Sequence, residues 1–246
     1  MTQPTDIRRA RIRPHLLDLF CCAGGAATGY DRAGFEVHGI DIAPRPNYPF
    51  AFRRAEALEH LAALIASGEI RRYAIVHASP PCQHGCALTV GTNASRGWGR
   101  THTQLIPALR ELLDASGVPY VIEQPGGRAP VRRDLSLCGE MFGLGVLRHR
   151  NFELGGWTAV QPAHRPHRGR VRGWRHGEFH DGPYVAAYGS GGGKATVAEM
   201  QAAMGIDWTE VREELTEAIP PAYTQWLGSA FLSSSWELPA SVGAAA

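Results

Sequence analysis

Short apolar runs and amphipathic stretches alternate from residue 15 to residue 125, and this alternation limits the fold more than any other feature of the chain. "HLLDLF" reads as a strand, "ATGYDRAGF" as a helix, "EVHGIDI" as a strand and "AEALEHLAALIASG" as a helix whose Leu58, Leu61, Leu64 and Ile65 share one face. "YAIVHAS", "LIPALRELLDASG" and "YVIEQP" continue the series as strand, helix and strand. Such alternation builds βαβ units, hence an α/β fold with a doubly wound, mostly parallel sheet covered by helices on both faces. A chain of 246 residues, 44% of them hydrophobic, is long enough for one such domain and a modest insertion.

The pattern breaks after residue 154. Residues 155 to 190 are rich in Gly, Arg, His and Pro and lack helical periodicity, so they read as a small irregular insertion. Helical signals return in "TVAEMQAAMG", "TEVREELTEA" and "PAYTQWLGSAFL". The expected organisation is a main domain from residues 1–154 and 191–246, with 155–190 set into it. "GSGGGK" is not a phosphate loop, because its glycine spacing is short by one and Ala195 follows the lysine; it reads as a hinge.

A net charge of +2 is too mild to announce a nucleic-acid partner, which would need a local basic patch. The five cysteines form no CxxC pair, so reduced thiols are expected and structural zinc is not. No metal is therefore expected. The polar start "MTQPTDIRRARIRPH" and the lack of a long apolar stretch predict a soluble, cytoplasmic protein with no membrane association.

In a doubly wound sheet, ligands bind beyond the carboxyl ends of the strands. After the first strand, "DLFCCAGGAATGY" places Gly24 and Gly25 at the turn into a helix, either as a tight connection or as a close approach to a nucleoside cofactor. Asp41 ends the second strand, where a carboxylate either caps a turn or accepts from ribose hydroxyls. "HASPPCQHGC" sets Cys82 after two prolines that fix its approach, before a Gly-rich loop suited to movement over a substrate. Glu123 closes an apolar run; burial there favours a neutral carboxyl able to donate to a substrate nitrogen, and the alternative is a loop cap. Arg148 and Arg150 share one face if the chain is extended.

In order, these stretches resemble the C5-cytosine DNA methyltransferase family: "DLFCCAGG" its S-adenosylmethionine motif, "SPPCQ" its nucleophile motif, "IEQP" its Glu motif and "RHR" its Arg-x-Arg motif. "AEMQAAMGID" and "LTEAIPPAY" resemble shortened forms of its last two motifs. The resemblance implies the Rossmann-like fold of class I S-adenosylmethionine-dependent methyltransferases and that cofactor. It implies a flipped cytosine of duplex DNA as substrate, with the protein acting as a monomer.

Through the resemblance, Cys82 attacks cytosine C6, Glu123 holds N3 and the exocyclic amine, Arg150 holds O2, and Arg148 supports the nucleophile or a phosphate. Phe20 is implied on the adenine, Asp41 on the ribose and Glu56 near the adenine amine. Gly24 and Gly25 line the methionine end, with Asp18, Ile42, Pro80 and Glu217 around the cofactor. Ser79, Pro81 and Gln83 attend the base, and Arg96 and Arg100, on the loop from His84 to Arg100, attend the strand. Arg168 and Arg170, among the arginines of the insertion, attend the DNA where the family carries its target-recognition region.

The chain departs from the family pattern at Gln124 and Pro125, at Cys22 in place of a glycine, at Val146 in place of a glutamine and at Glu217 in place of an asparagine. The base that removes the C5 proton has no candidate. Two alternatives stand beside this reading: a tRNA-directed cytosine C5 methyltransferase and a non-catalytic DNA-binding relative. A thymidylate-synthase-like pyrimidine enzyme fits less well, because the Gly turn lies at the wrong end of the chain.

Overall fold

The computed structural model describes residues 13–81, 105–126, 130–175, 177–188 and 195–234. The expected strands form as β1 (His15–Leu19), β2 (Glu36–Asp41), β4 (Tyr73–Ala78) and β5 (Tyr120–Pro125). Between them lie α1 (Gly25–Ala33), α2 (Ala57–Ser67) and α3 (Ile106–Ser116), all within a few residues of their sequence signals. Four further strands went unread: β3 (Ala51–Arg54), β6 (Leu135–Leu137) and, in the insertion, β8 (Gly173–Arg175) and β9 (Glu178–His180). The extended stretch around Arg150 is a fifth, β7 (Arg150–Gly155). The chain closes with α4 (Val197–Met204), α5 (Arg212–Glu217) and α6 (Pro221–Ser233).

Seven strands form one sheet in the order β3-β2-β1-β4-β5-β7-β6. β3, β2, β1, β4 and β5 pair in parallel, whereas β7 runs antiparallel to both β5 and β6. Successive side chains point to opposite faces, and the apolar runs fill both. Leu16, Val37, Ile75 and Val121 pack beneath α1 and α6 with Tyr30, Tyr223, Leu227 and Phe231. Leu17, Ile40, Val76 and Ile122 pack on the other face with Leu61 and Leu64 of α2 and Leu109 and Leu113 of α3. Each such fully buried side chain contributes about 1.5–3 kcal/mol relative to exposure.

A third apolar cluster joins α4 and α5 to the insertion, with Met200, Met204 and Leu215 against Val146 and Ala187. Thr196 and Glu199 start α4 with a reciprocal capping box. The expected insertion is thus packed into the body at its edges, through Trp157 and Ala159 on one side and Tyr184 to Ala187 on the other. Between these edges the β8–β9 hairpin carries the exposed Trp174 and Phe179, whose rings meet edge to face at 5.7 Å. Among the described residues, no helix is long and apolar enough to cross a membrane.

Candidate functional site

The strand order reverses between β1 and β4, and a cleft of about 560 Å³ opens there, at the carboxyl ends of the parallel strands. Asp18 and Phe20 line it from β1, Asp41 and Ile42 from β2, Ser79 to Pro81 from β4, and Glu123 and Pro125 from β5. Because β7 is antiparallel, its first residue lies beside the last residue of β5, in the register Pro125 to Arg150. Arg150 thereby reaches the same cleft, and its Nε lies 2.8 Å from Glu123 Oε1. Glu123 is buried there, with Arg150 as its ion-pair partner.

The turn after β1 is built from backbone conformations that side chains rarely adopt. Phe20 and Cys22 have φ of 61° and 47°, and Gly24, at 84°, caps α1. Strain at non-glycine positions persists only where the surroundings enforce it. Here Cys21 N–H donates to Ile40 O at 3.1 Å and Cys22 N–H donates to Asp41 at 3.1 Å, tying the turn to the end of β2. Trp208 Nε1 holds it from the C-terminal side, donating to Ala23 O at 2.7 Å.

Carboxyl groups dominate this half of the cleft. Asp18 is fully buried; burial, then the neighbouring Asp41, hold its pKa well above the ordinary carboxyl range, against a lowering contribution from Tyr48. Neither Asp18 oxygen has a hydrogen bond of normal geometry among the described residues. Asp41 accepts from Ala43 N–H at 2.9 Å and pairs with Arg45 Nε at 3.1 Å. Cys22 Sγ lies 3.6 Å from Glu217 Oε2, and burial raises that thiol to about 12. Ile42, 66% exposed, stands at the rim with the half-buried Phe20, offering two apolar surfaces to a flat group.

Three side chains hold the segment that leads into Cys82. Gln124 Nε2 donates to Pro80 O at 2.5 Å, which gives the Gln that follows Glu123 a positioning role. His77, wholly buried in β4, lies 2.8 Å from Ser79 Oγ through Nε2 and 3.1 Å from the Tyr30 hydroxyl through Nδ1. Burial pushes its pKa down to about 3, so the imidazole is neutral. Sequence reading passed over His77 because it sits inside an apolar run, and it passed over Arg45 because no strand or helix carries it.

The other expected site residues divide clearly. Gly25 lines the cleft, but Gly24 does not; a Cβ there would meet Pro49 at 2.9 Å. Glu56 caps α2, accepting from Glu59 N–H at 2.7 Å, and is not among the cleft residues. Arg148 lines the cleft with its guanidinium already engaged by three backbone carbonyls, Ala218 at 2.8 Å, Ala187 at 2.5 Å and Thr216 at 2.6 Å. It clasps the C-terminal segment and the insertion to the start of β7. Arg168 pairs with Glu140 at 3.0 Å and Arg170 contacts His180 at 3.2 Å, both exposed and outside the cleft. Cys82, Gln83, Arg96 and Arg100 lie outside the described residues.

No family model matches the sequence, nor does any curated protein. Among solved structures, a DNMT2 of Spodoptera frugiperda bearing three substitutions superposes with a TM-score of 0.57 at 12% identity, covering 89% of this chain and 99% of that one. The S. pombe Dnmt2 methyltransferase gives 0.53 at 13%, covering 89% and 98%. A putative DNA modification methyltransferase encoded within an E. coli prophage matches at 0.43 and 18%, over 58% of this chain and 46% of that one, so this chain spans less than half its length. The sheet order, the flanking helices and the 89% of this chain covered by the two Dnmt2 structures show that it shares their fold.

Proposed function

We propose that the protein is an S-adenosylmethionine-dependent methyltransferase acting on C5 of cytosine in DNA. The observation that carries the reading is the convergence in one cleft of the Glu123–Arg150 pair, the Ser79–Pro81 segment and the acid-lined turn after β1. The cofactor is a cation at its sulfonium and amino groups, and Asp41 and Glu217 supply complementary charge. Asp18, lacking a normal hydrogen bond, is an acceptor free to take a donor from a ligand. Phe20 and Ile42 fit the faces of an adenine, and Asp41 stands where ribose hydroxyls are held in this architecture. Bound there, the cofactor supplies an electrophilic methyl group.

On the base side, the thiolate of Cys82 adds to C6, and the electron pair of the C5–C6 bond becomes available at C5. Glu123 and Arg150 hold the edge of the ring and stabilise the charge that develops on it. After C5 is alkylated it loses its proton to a base, and expulsion of the Cys82 sulfur from C6 restores the double bond. Val171 and Val185 of the insertion line the cleft, which supports residues 155–190 as the element facing nucleic acid. A stacked base in a duplex cannot reach such a cleft, so the reading includes base flipping.

The test is covalent trapping. The protein is incubated with S-adenosylmethionine and duplexes carrying 5-fluorocytosine, in parallel with structured RNA carrying the same base, and resolved on a denaturing gel. A DNA complex that disappears in Cys82→Ala is expected. A complex with RNA alone would move the substrate to RNA, and none with either, despite demonstrated cofactor binding, would overturn the C6-addition mechanism.

A further inference from the structure

Outside the cleft lining, four side chains from three separate segments converge on one point. Cys138 follows β6, His149 precedes β7, and His164 and His167 lie in the irregular stretch between β7 and β8. One donor atom from each lies within 4.8 Å of the others. Cys138 Sγ is 3.5 Å from His167 Nε2, and the same Nε2 is 3.3 Å from His164 Nε2. The His149 ring stacks on His164 with centroids 5.6 Å apart and meets His167 at 5.3 Å.

A hydrogen-bond network does not account for this arrangement. The nitrogen of His167 faces both a thiol and a second imidazole nitrogen, and it carries at most one proton to share between them. No carboxylate belongs to the cluster among the described residues. Glu140, two residues beyond Cys138, is taken by Arg168 and the Tyr184 hydroxyl.

Tetrahedral zinc accounts for it directly. Bonds of about 2.3 Å to sulfur and about 2.05 Å to nitrogen place a sulfur and a nitrogen ligand about 3.5 Å apart, and two nitrogens about 3.3 Å apart. These match the separations of Cys138 from His167 and of His167 from His164.

We propose that Cys138, His149, His164 and His167 form a Cys-His₃ site for a divalent zinc-like metal ion. Four protein donors close the coordination shell, which makes the site structural. Its effect is to fasten the stretch carrying His164 and His167, which has no helix or strand of its own, to the sheet edge. Gln161 already anchors that stretch, exchanging hydrogen bonds with the Ser136 backbone at 2.8 and 3.0 Å. His149 lies between Arg148 and Arg150, so the same ion fixes the backbone that delivers both arginines to the cleft. Sequence spacing argued against zinc because the usual close ligand pairs are missing; here only His164 and His167 are near neighbours in the chain, and folding supplies the rest.

The full-length chain, purified without chelator and dialysed, is assayed for metal, then stripped and titrated with Zn²⁺ or Co²⁺. About one equivalent of tightly held metal is expected, with cobalt giving the intense visible bands of tetrahedral coordination and a thiolate charge-transfer band. The double variant His164→Asn/His167→Asn is expected to lose at least 100-fold in affinity, while His60→Asn on α2 keeps wild-type binding. X-ray absorption at the zinc edge of the wild-type protein tests the donor set without any variant: one sulfur and three nitrogens are expected. Failure of the stripped wild-type chain to bind either metal, undiminished binding by the double variant, or a shell with more than one sulfur or none would each overturn the site.

Discussion

His77 shows how far a residue's environment can move its chemistry. Its folded pKa, pushed down to about 3 by burial, lies below the value near 6.5 of an unfolded histidine. Below pH 6.5 the unfolded chain takes up a proton that the folded chain refuses, so stability is fully present above that pH and falls as the solution is acidified toward pH 3. His77→Gln removes this linkage. By pH 5 the wild type should have lost about 2 kcal/mol more than the variant, each measured against its own stability at pH 7.5; equal losses in denaturant titrations would show that His77 is not the buried neutral base described. The residues at strand ends, Asp41 and Glu123, were legible because a polar group closing an apolar run is conspicuous. His77 and Arg45 were not, since one hides within such a run and the other acquires its role only by pairing with Asp41.

Among the elements, α1 and α6 approach most closely at Gly29. A Cβ there would meet Thr224 Oγ1 at 2.0 Å and the Pro221 carbonyl oxygen at 2.1 Å, so this glycine serves helix packing. Gly29→Ala is expected to destabilise the protein by about 1–3 kcal/mol or more through overpacking, read as a drop in thermal midpoint. A neutral outcome would mean that the two helices can separate freely. The strands and helices from β1 to β5 were largely readable because burial on both faces leaves uninterrupted apolar runs. β7 was harder, since its "RNFELG" alternates Phe152 and Leu154, which enter the core, with Asn151 and Glu153, which are polar yet buried. Glu153 tolerates that position through Arg110, whose Nε and Nη2 each lie 2.7 Å from its oxygens, a partner that no local pattern reveals.

For the molecule as a whole, the proposed cofactor should act as a folding ligand, because its carboxylate-lined turn joins β1, β2 and the C-terminal segment. S-adenosylmethionine at about 100 times its dissociation constant is expected to stabilise the protein by about 2.7 kcal/mol. Asp41→Ala should remove most of that gain at the same concentration, and a thermal midpoint indifferent to the cofactor in the wild type would sink the cofactor assignment. The sequence by itself determined the α/β class, the parallel strands and the order of the chemical stretches, since hydrophobic periodicity and the residues closing each run are local properties of the chain. Only the tertiary structure decided that β7 runs antiparallel, and that reversal brings Arg150 to Glu123. It also decided that Arg148 spends its guanidinium on backbone carbonyls, and that Cys138, His149, His164 and His167 meet. Those outcomes depend on strand direction and on contacts between distant segments, which the periodicity of a single segment does not encode.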